Sequence, residues 1–157
     1  LLSQHVDDMD VATLIDLFRS EPRCALLGTD AVRDGVDIPG EALRLLVFDR
    51  VPWPRPTLLY KARRAAHGGR LYEEALVRLK LRQAFGRLIR SHTDRGVFVL
   101  LDSRLPSRLH DAFPAGVAIE RLTLAEALPE LTAFFQNSLV QAGGGTGAVN
   151  GQDLGRA

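Results

Sequence analysis

Short apolar runs alternate with helical stretches along this chain, and that alternation constrains its fold more than any other feature. Residues 24–28 (CALLG), 43–49 (LRLLVFD) and 96–102 (GVFVLLD) are each long enough for one strand. They lack the polar-apolar alternation of a half-solvated strand, so they read as strands buried on both faces. Between and around them lie segments with helical spacing: 9–20, with Asp8 or Asp10 as candidate N-cap, then 71–91 and 124–137, the last with Glu126 and Glu130 outward. A short helix ended by Gly68 and Gly69, another within 103–113 and a fourth strand at 117–122 complete the expectation. Buried strands separated by helices imply an α/β fold with a mainly parallel sheet covered on both sides.

Composition sets the outer limits. The 157 residues are 46% hydrophobic and 25% charged, enough for one domain with a real core. No apolar run reaches the length of a membrane span, and the lone Cys24, expected as a small core residue, excludes an intrachain disulfide. The chain does not begin with Met and shows no signal peptide, so it is expected to be a piece of a longer protein. Residues 141–157 hold six of the fourteen glycines and are expected to form a disordered tail after a domain spanning 1–140.

The net charge of +1 conceals an asymmetry. Residues 50–95 contain twelve Arg or Lys and three acids, whereas the remainder carries eight basic and sixteen acidic residues. A cationic block of this kind suits phosphate-bearing ligands or nucleic acid, and equally a solvated helix face. Within it, Gln83, Arg87 and Arg90 stand at i, i+4 and i+7, on one helical stripe opposite Leu81, Phe85, Leu88 and Ile89. Two guanidiniums beside an amide match phosphoryl oxygens, and a surface salt-bridge face matches the spacing nearly as well. Gly86, unfavourable in a helix interior by about 1 kcal/mol, implies either a close approach to the backbone or a local break.

Other signals are weaker. Asp49 and Asp102 end apolar runs as a magnesium-holding strand does, but strand-end Asp is common and no Glu follows either. GGGTGAVNG in the tail lacks the Lys-Ser/Thr pair of a phosphate loop. His5, His67, His92 and His110 share no metal-ligand spacing. Trp53, among Pro52, Pro54 and Pro56, is either an aromatic plug packed on prolines or a base-stacking platform.

In combination, TDAVRDGVD at 29–37, QAFGRLIR at 83–90 and the pattern Asp94-Arg95-Gly96, strand, Asp102-Ser103-Arg104 resemble the C-terminal motor lobe of superfamily 2 DNA helicases of the DinG/XPD type, closest to bacterial DinG-like proteins. The first stretch is similar to helicase motif V and the second to motif VI. The resemblance is close over 24–108. It implies a three-layer RecA-like domain without its own phosphate loop, whose ATP and Mg2+ are held mainly by a first lobe of the same protein. It further implies that Arg87 and Arg90 act as arginine fingers, that Gln83 senses the nucleotide, and that Gly35, Asp37 and Gly86 lie near it. Thr29 and Asp30 would face the nucleic acid, single-stranded or forked DNA. No iron-sulfur cluster is expected in this segment, no membrane partner, and the implied location is bacterial cytoplasm at the nucleoid. Val32, Arg33 and Asp34 depart from the aromatic pair and Glu usual in DinG-like motif V, which puts any stacking or salt link there in doubt. The competing reading is a non-motor nucleic-acid-binding or regulatory RecA-like module.

Overall fold

The computed structural model describes residues 1–21, 23–29, 32, 42–91 and 93–143, with side chains described as far as residue 137. The chain divides into two compact units, Leu1–Ile119 and Glu120–Ala157.

The first unit is α/β. Strand β1 (Leu2–Ser3) is followed by helix α1 (Val11–Ser20), strand β2 (Leu26–Leu27) and strand β3 (Leu45–Phe48). Helices α2 (Leu58–Ala66) and α3 (Arg70–Leu88), strand β4 (Val97–Leu100) and a 3-10 helix (Ser107–Ala112) follow among the described residues. Asp10 caps α1, its carboxylate accepting from the Thr13 amide at 3.0 Å and the Thr13 hydroxyl at 2.7 Å. Leu14 and Ile15 are the buried positions of that helix.

The four described strands all pair in parallel, as expected, but as two separate pairs. β1 lies beside β2, and β3 beside β4 with Leu45 opposite Val97 and Phe48 opposite Leu100. β1 was not anticipated, because two residues carry no periodicity. The fourth strand expected at 117–122 does not form: Gly116 turns the chain at φ +90°, and that segment has no ladder partner among the described residues. Complete burial of the strands is also corrected. Leu45 and Val47 are 41% and 46% exposed, alternating with half-buried Leu46 and Phe48, so one face of β3 is uncovered by the described residues. Cys24 is half-buried and outside the core, and Leu27 is exposed.

α3 organises this unit. Its buried residues, Glu74, Val77, Leu81, Ala84 and Leu88, are spaced three and four apart, a single stripe along the helix. Val77 and Leu81 pack with Val51, Leu109 and Ala112, whereas Leu88 joins Ile15, Val32 and Leu43. Phe98 of β4 packs against both groups. α2 reverses the usual arrangement. It buries nothing; Tyr60 and Arg64 turn toward Glu73 of α3, while Leu58 and Leu59 stand exposed.

The second unit contains helix α4 (Leu124–Gly143). Thr123 and Glu126 form a reciprocal cap, the Thr123 amide donating to the Glu126 carboxylate at 2.7 Å and the Glu126 amide to the Thr123 hydroxyl at 3.4 Å. Glu126 and Glu130 face outward as expected. The helix runs six residues past its expected end at Asn137, so 141–143 are helical, and the remaining expected tail, 144–157, lies outside the described residues. No helix among the described residues is long and apolar enough to cross a membrane.

Candidate functional site

The end of α3 and its passage into β4 carry the motif VI residues. Gln83 is exposed, Arg87 half-buried and Arg90 exposed. The expected common stripe holds for Gln83 and Arg87 only. α3 ends at Leu88, Ile89 is extended with φ −121° and ψ 105°, and Arg90 therefore lies beyond the helix. Opposite them Leu81 and Leu88 are buried, and Phe85 meets the Phe113 ring edge-on at 5.6 Å between centroids.

Residues 90–96 determine how the helix is left. The Asp94 carboxylate accepts from the Arg90 amide at 2.8 Å, the Ser91 amide at 2.9 Å and the Ser91 hydroxyl at 2.9 Å. Those donors, the Arg90 amide foremost, hold the Asp94 carboxyl below the usual carboxylate range. Arg90 in turn donates from Nε to the Arg87 carbonyl at 3.3 Å, serving one acceptor at the end of the helix. Gly96 starts the approach to the strand, where a Cβ would stand 2.6 Å from Leu88 Cδ1 and 3.1 Å from the Arg44 carbonyl. Only glycine lets β4 begin this close to the helix end and to β3.

Gly86 behaves differently. The helix runs through it unbroken, and among the described residues nothing lies within 4 Å of where a Cβ would be. The local break is thus corrected, and the residue faces open space.

At the other end of β4, Asp102 is structural. Its carboxylate accepts from the Arg104 side chain at 2.8 Å, the Arg104 amide at 3.0 Å and the Val51 amide at 3.2 Å, joining the chain after β4 to the chain after β3. Arg104 is the main reason that its carboxyl lies well below the ordinary range. Asp49, by contrast, forms an exposed ion pair with Arg50. Trp53, in the loop that Asp102 pins, is 37% exposed.

Of the motif V residues, Asp30, Gly35 and Asp37 lie outside the described residues. Thr29 follows β2 and is exposed. Its amide and hydroxyl donate to Gln4 Oε1 at 2.8 and 3.0 Å. Gly28 before it admits the side chain of Val32, which a Cβ would strike. Thr29 thus stands at the carboxyl end of β2, whereas Arg87 and Arg90 stand where α3 leads into the start of β4.

Sequence reasoning missed Glu74. Only 4% exposed, it occupies one position of the apolar stripe of α3 and accepts from Arg70 and Arg108, each at 2.7 Å, with Arg78 at 3.7 Å. Arg78 also grips Asp111 at 2.8 and 3.1 Å and the Arg108 carbonyl at 2.8 Å. This network binds the 3-10 helix to α3. The detectable signal was an acid at a core-spaced position with Arg four residues to either side. It also pairs Arg70 and Arg78 of the cationic block with a carboxylate, as Glu73 does Arg64.

Residues 1–118 match the family described as Helicase C-terminal domain. The chain belongs to this family. It is 39% identical over 113 residues to the protein named ATP-dependent helicase DinG of Mycobacterium tuberculosis strain H37Rv, covering 68% of this chain and 17% of that protein. It is 36% identical over 106 residues to ATP-dependent DNA helicase YoaA of Escherichia coli K12, covering 63% and 17%. With the protein of Bacillus subtilis strain 168 named 3'-5' exonuclease DinG it shares 32% over 114 residues, 67% and 12%. The chain therefore spans less than a fifth of the length of these relatives. No solved structure matches it. The helicase C-terminal lobe anticipated from motifs V and VI is accordingly the family found.

Proposed function

We propose that this helicase C-terminal domain is the second, three-layer RecA-like motor lobe of an ATP-dependent DNA helicase. In this reading it completes an ATP site whose phosphate loop belongs to an N-terminal lobe. The observation that carries the reading is the family match across 1–118, which includes both motif regions and the α3–β4 corner.

Chemistry at that corner suits the role. Arg87 and Arg90 offer guanidinium donors and Gln83 an amide, a set that favours anionic phosphoryl oxygens over a cation. Mg2+ in this reading is held mainly by the first lobe, as the resemblance to DinG-like helicases implies. Bound ATP supplies the phosphoryl group; Arg87 and Arg90 stabilise the charge that develops as it is transferred. Gly86 leaves the helix backbone open to close approach. Thr29, Asp30 and the basic side chains outside the Glu73 and Glu74 pairings grip single-stranded or forked DNA through its phosphates. Gly35 and Asp37 complete the nucleotide side. Lobe closure on ATP and reopening after hydrolysis then move the strand, in a bacterial cytoplasmic protein working at the nucleoid. The domain in this reading spans 1–140, and a tail follows the end of α4 at Gly143.

In the helicase that carries this lobe, Arg87→Ala or Arg90→Ala lowers DNA-stimulated ATPase at least about a hundredfold, a floor set below the roughly 10³ to 10⁵ that arginine fingers supply. Near-normal turnover in both variants rejects the assignment. The name of the Bacillus relative favours one second reading, a lobe retaining nucleic-acid contacts beside a nuclease. That reading expects DNA binding without loss of ATPase in the same variants.

A further inference from the structure

The end of α3 at Leu88 leaves a mechanical question. A side chain on a helix is aimed by the helix, but Arg90 lies two residues past the last helical residue, after an extended Ile89. Helical periodicity cannot orient it. What holds its backbone is the Asp94 carboxylate, one oxygen of which accepts from both the Arg90 and Ser91 amides while the other accepts from the Ser91 hydroxyl. The Asp94 amide closes the loop on the Ser91 carbonyl at 3.3 Å, and the Ser91 and Thr93 hydroxyls meet at 2.8 Å.

We propose that Asp94 is a positioning residue for Arg90: its carboxylate sets the backbone from which the guanidinium is presented to the transferred phosphoryl group. The inference rests on the arginine-finger reading above. Two independent features support a role in aim rather than in folding. Among the described residues Asp94 bonds only to Arg90 and Ser91, neither of which belongs to either buried cluster. The Arg90 Nε bond to the Arg87 carbonyl ties the same guanidinium to the helix end, so the backbone anchor and the side-chain anchor together limit its swing. A displacement of about 1 Å at a catalytic group can cost roughly a hundredfold in rate, because the interaction is realised only in the transition state.

The test is a double-mutant cycle in the full-length helicase, reading DNA-stimulated ATPase. Arg90→Ala, Asp94→Ala, the double variant and Asp94→Asn are compared, and the same Asp94 substitutions in the 157-residue chain are checked by thermal unfolding and amide exchange. Asp94→Ala is expected to lower kcat at least about tenfold with KM for ATP within about twofold, and to speed exchange of the Arg90 and Ser91 amides. The double variant should be no slower than Arg90→Ala alone, because a positioning residue has nothing left to position. Asp94→Asn keeps one oxygen to accept both amides and should recover most of the rate, which separates geometry from charge. If Arg90→Ala is crippled while Asp94→Ala turns over normally, or if the two losses multiply in the double variant, the positioning role is overturned and the arginine finger stands. If Arg90→Ala itself is near normal, the finger falls and the positioning role with it. A drop in Asp94→Ala that Asp94→Asn does not relieve, accompanied by a lowered Tm in both, makes Asp94 a fold residue and also overturns the proposal.

Discussion

Two glycines ten residues apart, Gly86 and Gly96, should respond to alanine with opposite signs. At Gly96 the new Cβ would lie 2.6 and 2.7 Å from Cδ1 and Cγ of Leu88 and 3.1 Å from the Arg44 carbonyl. Leu88 cannot swing away freely, since it is 3% exposed and packed among Ile15, Val32 and Leu43. The Arg44 carbonyl is the acceptor for the Val97 amide at 2.9 Å, the bond that opens the β3–β4 pairing. Overpacking of this kind costs about 1–3 kcal/mol, offset by about 0.4–1 kcal/mol because Ala restricts the unfolded chain. The net is a loss of about 1–2 kcal/mol, or a Tm lower by roughly 2–8 °C for a chain of this size. At Gly86 there is no such contact among the described residues and the backbone is helical, so Ala should stabilise by about 0.5–1 kcal/mol. Thermal unfolding of both variants, followed by circular dichroism, decides the matter. A Gly96→Ala chain as stable as the parent, or a Gly86→Ala chain less stable, would refute the packing argument. The functional corollary is that Gly86→Ala should lower ATPase in the helicase despite the gain in lobe stability, if a neighbouring lobe or nucleotide fills the open face.

Three further expectations concern charge. Glu74→Ala leaves Arg70, Arg78 and Arg108 facing one another without their carboxylate, so it should destabilise the chain more than Asp111→Ala, which removes only the outer partner of Arg78; paired denaturant melts compare them. Tyr60, whose hydroxyl donates to Glu73, has its pKa pushed up to about 12, chiefly by burial and then by that carboxylate. The folded state thus holds the phenol proton more tightly than the unfolded state, and this stabilisation is complete below pH 10 and lost as pH rises toward 12. Ultraviolet titration should show a late phase of tyrosine ionisation that is absent in Tyr60→Phe. Asp102 has the opposite sign: its carboxyl is depressed, so its contribution is present above about pH 4, the ordinary range for Asp, and fades as the pH falls below that. Asp102→Asn should flatten the acid limb of the stability profile measured by denaturant melts.

Much of the candidate site was legible because its signals are local. Gln83 and Arg87 share a helical stripe as their spacing requires, and Leu81 and Leu88 are buried opposite them. Arg90 was misplaced by the same rule, since a spacing of i+7 presumes that the helix continues; the Asp94 carboxylate captures the Arg90 and Ser91 amides and ends that presumption. Asp94 and Gly96 were visible as a pattern without a physical role. Their roles depend on a carboxylate folding back four residues and on a helix end meeting a strand, neither of which periodicity encodes.

The same division runs through the whole chain. Its sequence alone determined the alternation of apolar runs and helices, the parallel character of the strands and the kinship with helicase C-terminal domains. Each of these rests on short-range periodicity or on motif residues at fixed separation. Tertiary structure alone decided which apolar positions are covered. α2 turns Tyr60 and Arg64 inward and Leu58 outward because Glu73 of α3 offers a partner that Leu58 cannot use, and β3 leaves Leu45 and Val47 exposed. It also decided that the basic block is partly spent within the fold, since its Arg70 and Arg78 converge, with Arg108 from outside the block, on a Glu74 carboxylate buried too deeply for water to compensate its charge. Burial and ion pairing are properties of neighbours distant along the chain, so they appear only once those neighbours have met.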